Sequence, residues 1–251
     1  MIDLAGKVVF ITGAGGEIGS ATARTIVRAG AKVVLHDLND AALATIAGEL
    51  GRSAHIVTSD LGDPVAAGAL WNQAVAVHGR IDVLVNMAGV YLPAPIEDPV
   101  EKWVGVWDRS LAINLVSPGV LCRGAVRTFA EQPNGGIIVN IASRAAFRGE
   151  DPDYWHYAAA KAGIVAMTKT IARHYGRQGV TAFAIAPGYV DTAFNHAFRD
   201  EFGVATAAAE TGLGEVAMPQ DVANVIAFLA SGLARHATGT TIDVNGASYV
   251  R

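Results

Sequence analysis

The chain has one cysteine, Cys122, in 251 residues. That excludes an internal disulfide and any metal site built from several thiolates. Its seven histidines are scattered without metal-ligand spacing, so no metal is expected. Charged residues make up only 17%, the formal charge is −4, and no long basic run occurs. Nucleic acid is therefore not an expected partner. No apolar run reaches the ~18 residues that span a membrane. Met1 to Gly6 is too short and polar for a leader, and Lys7 to Thr12 already reads as a strand. No internal repeat, low-complexity tract or linker stands out. The expectation is one domain covering residues 1–251, in the cytoplasm and off the membrane.

What the chain does have is glycine, 28 of them, and a hydrophobic content of 51%. Val8-Val9-Phe10-Ile11 is a short continuous apolar run, as expected of a parallel strand covered on both faces. Further strands are expected at Ala31–His36, Ala54–Thr58, Ile81–Val85, Gly136–Ile141, Val180–Ile185 and Thr240–Val244. Helices are expected between them: Ile18–Arg28, Asp40–Leu50, Pro64–His78 with proline in its first turn, Pro99–Glu131, Tyr157 to about Tyr175, and Pro219–Leu229. Pro118-Gly119 should bend the long one. This alternation predicts an α/β fold: a doubly wound sheet of about seven parallel strands with helices on both faces. The segment 191–218 breaks the rhythm. It follows a strand at its carboxyl end, where such sheets keep a substrate lid.

Two constellations carry chemistry. The first strand ends in Thr12-Gly13-Ala14-Gly15-Gly16-Glu17-Ile18-Gly19. Small residues there let the backbone approach a pyrophosphate, and the next helix presents free N–H groups to it. Asp37 ends the second strand, about 24 residues after Gly13, where a carboxylate can accept both ribose hydroxyls. A 2′-phosphate would meet like charge, and neither Leu38 nor Gly15 and Gly16 offers a compensating cation. NAD(H) is expected over NADP(H). The second constellation is Tyr157-Ala158-Ala159-Ala160-Lys161, which puts a phenol and an ammonium one helical turn apart on one face. Lowering a tyrosine from about 10 to about 7 takes roughly 4 kcal/mol. An exposed ion pair supplies at most about 1 kcal/mol. The pair therefore needs a water-poor cleft and a second positive charge, such as an oxidised nicotinamide ring.

Thr12-Gly13, Asn86-Met87-Ala88-Gly89, Asn114, Ser143, Tyr157-x-x-x-Lys161 and Pro187-Gly188 follow one another as in the short-chain dehydrogenase/reductase family, which the chain resembles from Leu4 to Val250. The resemblance implies a Rossmann-type sheet, a nicotinamide cofactor and a homotetramer. It implies that Tyr157 exchanges a proton with the substrate oxygen, Ser143 hydrogen-bonds that oxygen, Lys161 holds the nicotinamide ribose and lowers the Tyr157 pKa, and Asn114 positions a water linking Lys161 to solvent. Gly13, Gly15, Gly16, Glu17, Ile18 and Gly19 would face the cofactor phosphates, with Asp37 and Leu38 at the ribose. Asp60 would meet the adenine amino group, with Leu61 beside the ring. Asn86, Ala88 and Gly89 would line the adenosine ribose. Pro187, Gly188, Val190 and Thr192 would touch the nicotinamide. Glu17 departs from the family pattern, which has glycine there; its carboxylate is expected to turn out to solvent.

On the substrate side, Ser143, Ala145, Tyr157, Tyr189, Phe194 and Phe198 are expected contacts. Phe194, Phe198 and Phe202 recur at helical spacing and form either core or an aromatic wall. Tyr91, Leu92, Phe147, Tyr154 and Trp155 could join that wall. Arg144, Arg148, Glu150, Asp151, Asp153, His196 and Arg199 crowd the same region. His156 points about 100° away from Tyr157 on a helix and reads as structural. The expected reaction interconverts a secondary alcohol and a ketone on a partly apolar small molecule, such as a hydroxyacyl compound, a cyclic alcohol or a polyol. A 3-oxoacyl-[acyl-carrier-protein] reductase is the first alternative, for which Arg173 and Arg177 could serve as docking residues. A non-catalytic dinucleotide sensor is the second, although it has no need of Ser143, Tyr157 and Lys161 together.

Overall fold

The computed structural model describes residues 2–195 and 203–251. Seven parallel strands form one sheet in the order β3-β2-β1-β4-β5-β6-β7: β1 Val8–Thr12, β2 Lys32–His36, β3 Ala54–Val57, β4 Val83–Asn86, β5 Gly136–Ile141, β6 Val180–Pro187 and β7 Thr241–Val244. The helices between them are α1 Glu17–Arg28, α2 Asp40–Leu50, α3 Pro64–His78, α4 Val100–Leu111, α5 Ser117–Glu131, α6 Ala145–Arg148, α7 Trp155–Tyr175, α8 Val204–Ala209 and α9 Pro219–Ser231. No helix among the described residues is long and apolar enough to cross a membrane.

The strand period of two sorts each apolar run between two cores. Val9 and Ile11 of β1 join Ile26 of α1, Leu43 of α2 and Ile226 of α9 on one face. Val8 and Phe10 join Trp71 of α3 and Phe129 of α5 on the other. Both faces are thus dry, which is why the strands read as unbroken hydrophobic runs and not as alternations. The chain runs outward from β1 to β3 and then returns to start β4 on the far side of β1. This reversal opens a crevice at the carboxyl ends of β1 and β4.

Two local features add to the expected pattern. The long helix widens one turn before Pro118-Gly119 into a π-helical stretch, Ala112–Val116, and Pro118 sits in the first turn of α5. The widened turn contains Asn114, whose amide clamps a neighbouring loop. The α3 helix is capped by Asp63, which accepts from the Val65 and Ala66 N–H groups at 2.9 and 3.3 Å. Asp60 instead accepts from Gly62 N and pairs with Arg109. Helices α6 and α8 are too short to show a period in sequence.

Candidate active site

The β1–α1 turn is built for close approach. Gly13 has φ +70°, and a Cβ on it would lie 2.9 Å from the Ala88 backbone. A Cβ on Gly19 would lie 2.1 Å from the Gly13 carbonyl oxygen. Gly16 caps α1 without any side-chain bond, so the first N–H groups of the helix face the cleft. Thr12, absent from the expected contacts, ties the turn to the next strand: its Oγ1 accepts from the Met87 and Ala88 N–H groups at 3.0 and 3.2 Å. Asp37 accepts from Gly15 N at 2.9 Å and from Asn39 N at 3.1 Å, and its carboxylate lines the cleft. A glycine cradle, an open helix N-terminus and a carboxylate at the end of β2 fit a dinucleotide.

Other expected cofactor contacts are spread more widely. Ile18, Ala88, Gly89, Pro187, Gly188, Val190 and Thr192 line the cleft. Leu38 is exposed and Leu61 is buried in the α3–α5 core. The Asn86 side chain turns into the sheet interior, donating to Asn140 Oδ1 at 2.9 Å. Glu17 is exposed, as expected of an outward carboxylate, but it is not without a partner. Its Oε1 accepts from Ala193 N at 2.9 Å, at the start of the 191–218 segment.

Tyr157 and Lys161 are both buried, on the inward face of α7. Ser143, just beyond the end of β5, lines the same cleft as Tyr157. The Lys161 ammonium lies 5.6 Å from the Tyr157 ring centre and donates to the Ile141 carbonyl at 2.9 Å. Asn114, fully buried, accepts from Val90 N at 3.1 Å and donates to Val90 O at 2.9 Å. A Cβ on Gly89 would stand 2.9 Å from Asn114 Oδ1 and 3.6 Å from Lys161 Nζ, so both groups face one spot beside that glycine.

Burial controls the electrostatics. It pushes the Tyr157 phenol above its ordinary range; the nearby Ser143 hydroxyl opposes this and the Glu150 charge adds to it. Burial also pushes Lys161 down to about 8. The protein by itself therefore does not hold a phenolate at neutral pH. Ionising this phenol near neutral pH needs a further positive charge at the cleft.

At the substrate end, Tyr91 stacks on Tyr154 with ring centres 3.7 Å apart and meets Tyr157 edge-on at 5.0 Å. Phe194 closes on both Tyr91 and Tyr157, and Tyr189 also lines the cleft. Ala145 donates its N–H to Ser143 Oγ at 3.1 Å. Two expected wall residues pack elsewhere: Trp155 meets Trp103 and is half exposed, and Phe147 stacks on Tyr249 beneath Arg251. Phe198, Phe202, His196 and Arg199 lie outside the described residues. His156 is structural, with both ring nitrogens engaged by Ser110 Oγ and Leu92 O. The cleft, about 340 Å³, is also lined by Arg144, Arg148, Glu150, Asp151 and Glu210.

Fold and site together define a Rossmann-type, dinucleotide-dependent oxidoreductase. Residues 13–247 match the family model described as enoyl-(acyl carrier protein) reductase. The chain is 39% identical to a (5R,7aS)-5-hydroxy-7a-methyl-1-oxo-2,3,5,6,7,7a-hexahydro-1H-indene-carboxyl-CoA reductase of Mycobacterium tuberculosis, over 96% of this chain and 93% of the relative. A solved structure from Beutenbergia cavernae, described as an NAD(P)-dependent gluconate 5-dehydrogenase with bound NADP, is 36% identical with TM-score 0.90, covering 98% and 97% of the two chains. A 3-ketoacyl-(acyl-carrier-protein) reductase from Brucella melitensis complexed with NADH is 29% identical with TM-score 0.88, covering 99% and 100%. The chain belongs to the short-chain dehydrogenase/reductase family.

Proposed function

We propose that this protein interconverts a secondary alcohol and a ketone with NAD(H), using Tyr157 as the general acid and base. The observation that carries the reading is one cleft lined by Ser143, Tyr157 and Lys161 together with Gly13, Gly16 and Asp37, with the phenol and the ammonium one helical turn apart on α7. The cofactor supplies or takes the hydride when bound. The chain's own residues do the rest. Negative charge develops on the substrate oxygen during reduction, and the Ser143 and Tyr157 hydroxyls are the two donors aimed at it. The proton passes from Tyr157 Oη to that oxygen, and in oxidation it returns. Lys161 contributes positive charge beside the phenol, and Asn114 holds a water through which Lys161 exchanges protons with solvent.

Asp37 supports NAD(H) over NADP(H), because a 2′-phosphate beside its carboxylate would be repelled. Neighbouring structures hold either form, so the preference rests on this residue. The described parts of 191–218 reach the cleft through Thr192, Phe194, Asn195 and Glu210, which supports a lid. The protein acts as a cytoplasmic homotetramer in this reading, and a monomer by sedimentation would overturn the assembly. The central test follows NADH absorbance with a panel of ketones and alcohols, acyl-carrier thioesters included. Turnover is expected, and Tyr157→Phe should lower kcat about a thousandfold while NADH still binds. Binding of NADH without turnover of any substrate would favour the sensor.

A further inference from the structure

The substrate end of the cleft contains two guanidinium groups that the catalytic assignment does not use. Arg144 directly follows Ser143, and Arg148 stands one helical turn later on the same face of α6. Both converge on a single oxygen: Glu210 Oε2 lies 2.9 Å from Arg144 and 3.8 Å from Arg148. Arg148 also faces Glu150 at 3.8 Å. All four side chains line the cleft that holds Ser143 and Tyr157.

The members of this cluster are not equally fixed. The Arg144 side chain is only 12% exposed, and the Glu150 side chain 13%, whereas Glu210 is 43% exposed. Glu210 comes from the end of the six-residue helix α8, far along the chain from the elements that carry the arginines. A buried guanidinium must keep an anionic partner, or its desolvation goes uncompensated. The partner that can leave at least cost is the exposed one, provided another carboxylate takes its place. A close guanidinium contact from Arg144 with a second positive charge, Arg148, at 3.8 Å is an arrangement that suits a carboxylate. Tyr91 and Phe194, in contact with each other, line the same cleft and offer an apolar wall.

We propose that Arg144 and Arg148 form a carboxylate subsite, and that the substrate is a hydroxy acid or oxo acid whose carboxylate replaces Glu210 there. This deepens the proposed function and rests on it, since the reacting oxygen is placed at Ser143 and Tyr157. Exchanging one carboxylate for another is close to balanced in charge. A neutral analogue must either leave Glu210 in place, in a narrower cleft, or leave Arg144 without a carboxylate and Arg148 with Glu150 alone. Selectivity arises from that penalty.

The test uses protein saturated with NADH. Calorimetry compares binding of cyclohexanecarboxylate and cyclohexanecarboxamide, and turnover is followed with cyclohexanone and 4-oxocyclohexanecarboxylate. The acid should bind at least tenfold tighter than the amide. Arg148→Gln should reduce that ratio to near one, and Arg148→Lys, which keeps charge but loses the fork, should fall between. Glu210→Gln removes the competing carboxylate and should tighten acid binding about threefold. Equal binding of acid and amide to the unmodified protein would overturn the subsite. So would a Glu210→Gln variant that weakens both ligands by one factor, because that marks a fixed strut. Reduction of cyclohexanone without preference for the acid sinks this inference alone. Preferential acid binding with no ketone reduced from the whole panel sinks the catalytic reading and leaves the subsite standing.

Discussion

The two halves of the cleft are built from different material. The cofactor half is backbone: the Gly13 to Gly19 turn, the bare N-terminus of α1, and strand ends joined by Thr12. The substrate half is side chain: stacked Tyr91 and Tyr154, Phe194, and arginines meeting a glutamate from a remote helix. Backbone at the ends of buried strands can hardly move without disturbing the core. Long side chains can change partners at little cost. One half therefore suits a ligand that never changes, and the other suits chemistry that varies among relatives.

The difference can be broken at its rigid end first. Gly19→Ala drives a methyl into the Gly13 carbonyl. It should weaken NADH binding at least a hundredfold and cost about 2–3 kcal/mol of stability, or roughly 5–10 °C in Tm. Fluorescence titration and thermal melts read both, and intact binding would show that the turn can yield. Lys161→Met should lower kcat at least about a hundredfold. It should also stabilise the fold at pH 7. A pKa pushed down to about 8 from 10.5 means about 3 kcal/mol against the charged form, less about 1 kcal/mol for the lost Ile141 hydrogen bond.

The sign of the accompanying pH effect follows from proton counts. Between about 8 and 10.5 the unfolded chain keeps the Lys161 proton and the folded state has lost it. The unmodified protein should gain stability as pH rises through that window. The variant should lose this slope, and melts at pH 7 and 10 would show a parallel pair if the assignment is wrong.

Smaller effects sharpen the comparison. Asp37→Ser should shift cofactor preference at least tenfold toward NADP(H), measured as the ratio of kcat/KM values; an unchanged ratio would remove Asp37 from the specificity argument. Glu150→Gln removes a negative charge that raises the Tyr157 pKa. The pH profile of kcat for alcohol oxidation should move to lower pH by less than about one unit. A move the other way would place Glu150 in a different role.

How much of this could be read from sequence follows the same division. Helices α2 and α3 and strand β5 lie where their patterns put them, because each is bounded by clear capping, turn or breaker residues and packs on a two-sided core. The Gly13 turn and the Tyr157–Lys161 pair were visible because tight backbone approach demands glycine and helical spacing fixes a face. The π-helical turn at Ala112–Val116 was not, since what marks it is the clamp of Asn114 on Val90, a contact between distant segments. Trp155 and Phe147 were misplaced for a related reason: composition says that an aromatic will pack, not against what.

The sequence by itself determined the parallel sheet, the order of its elements, the phosphate-facing turn and the residues available for acid–base work. All of these depend on local spacing and on periodicities of two and 3.6 residues. Only the tertiary structure decided that burial lifts the Tyr157 phenol and lowers Lys161, that Glu17 reaches Ala193, and that Arg144 and Arg148 share an oxygen of Glu210. Desolvation and charge pairing depend on which distant segments are brought within a few ångströms of one another, and no local pattern encodes that distance.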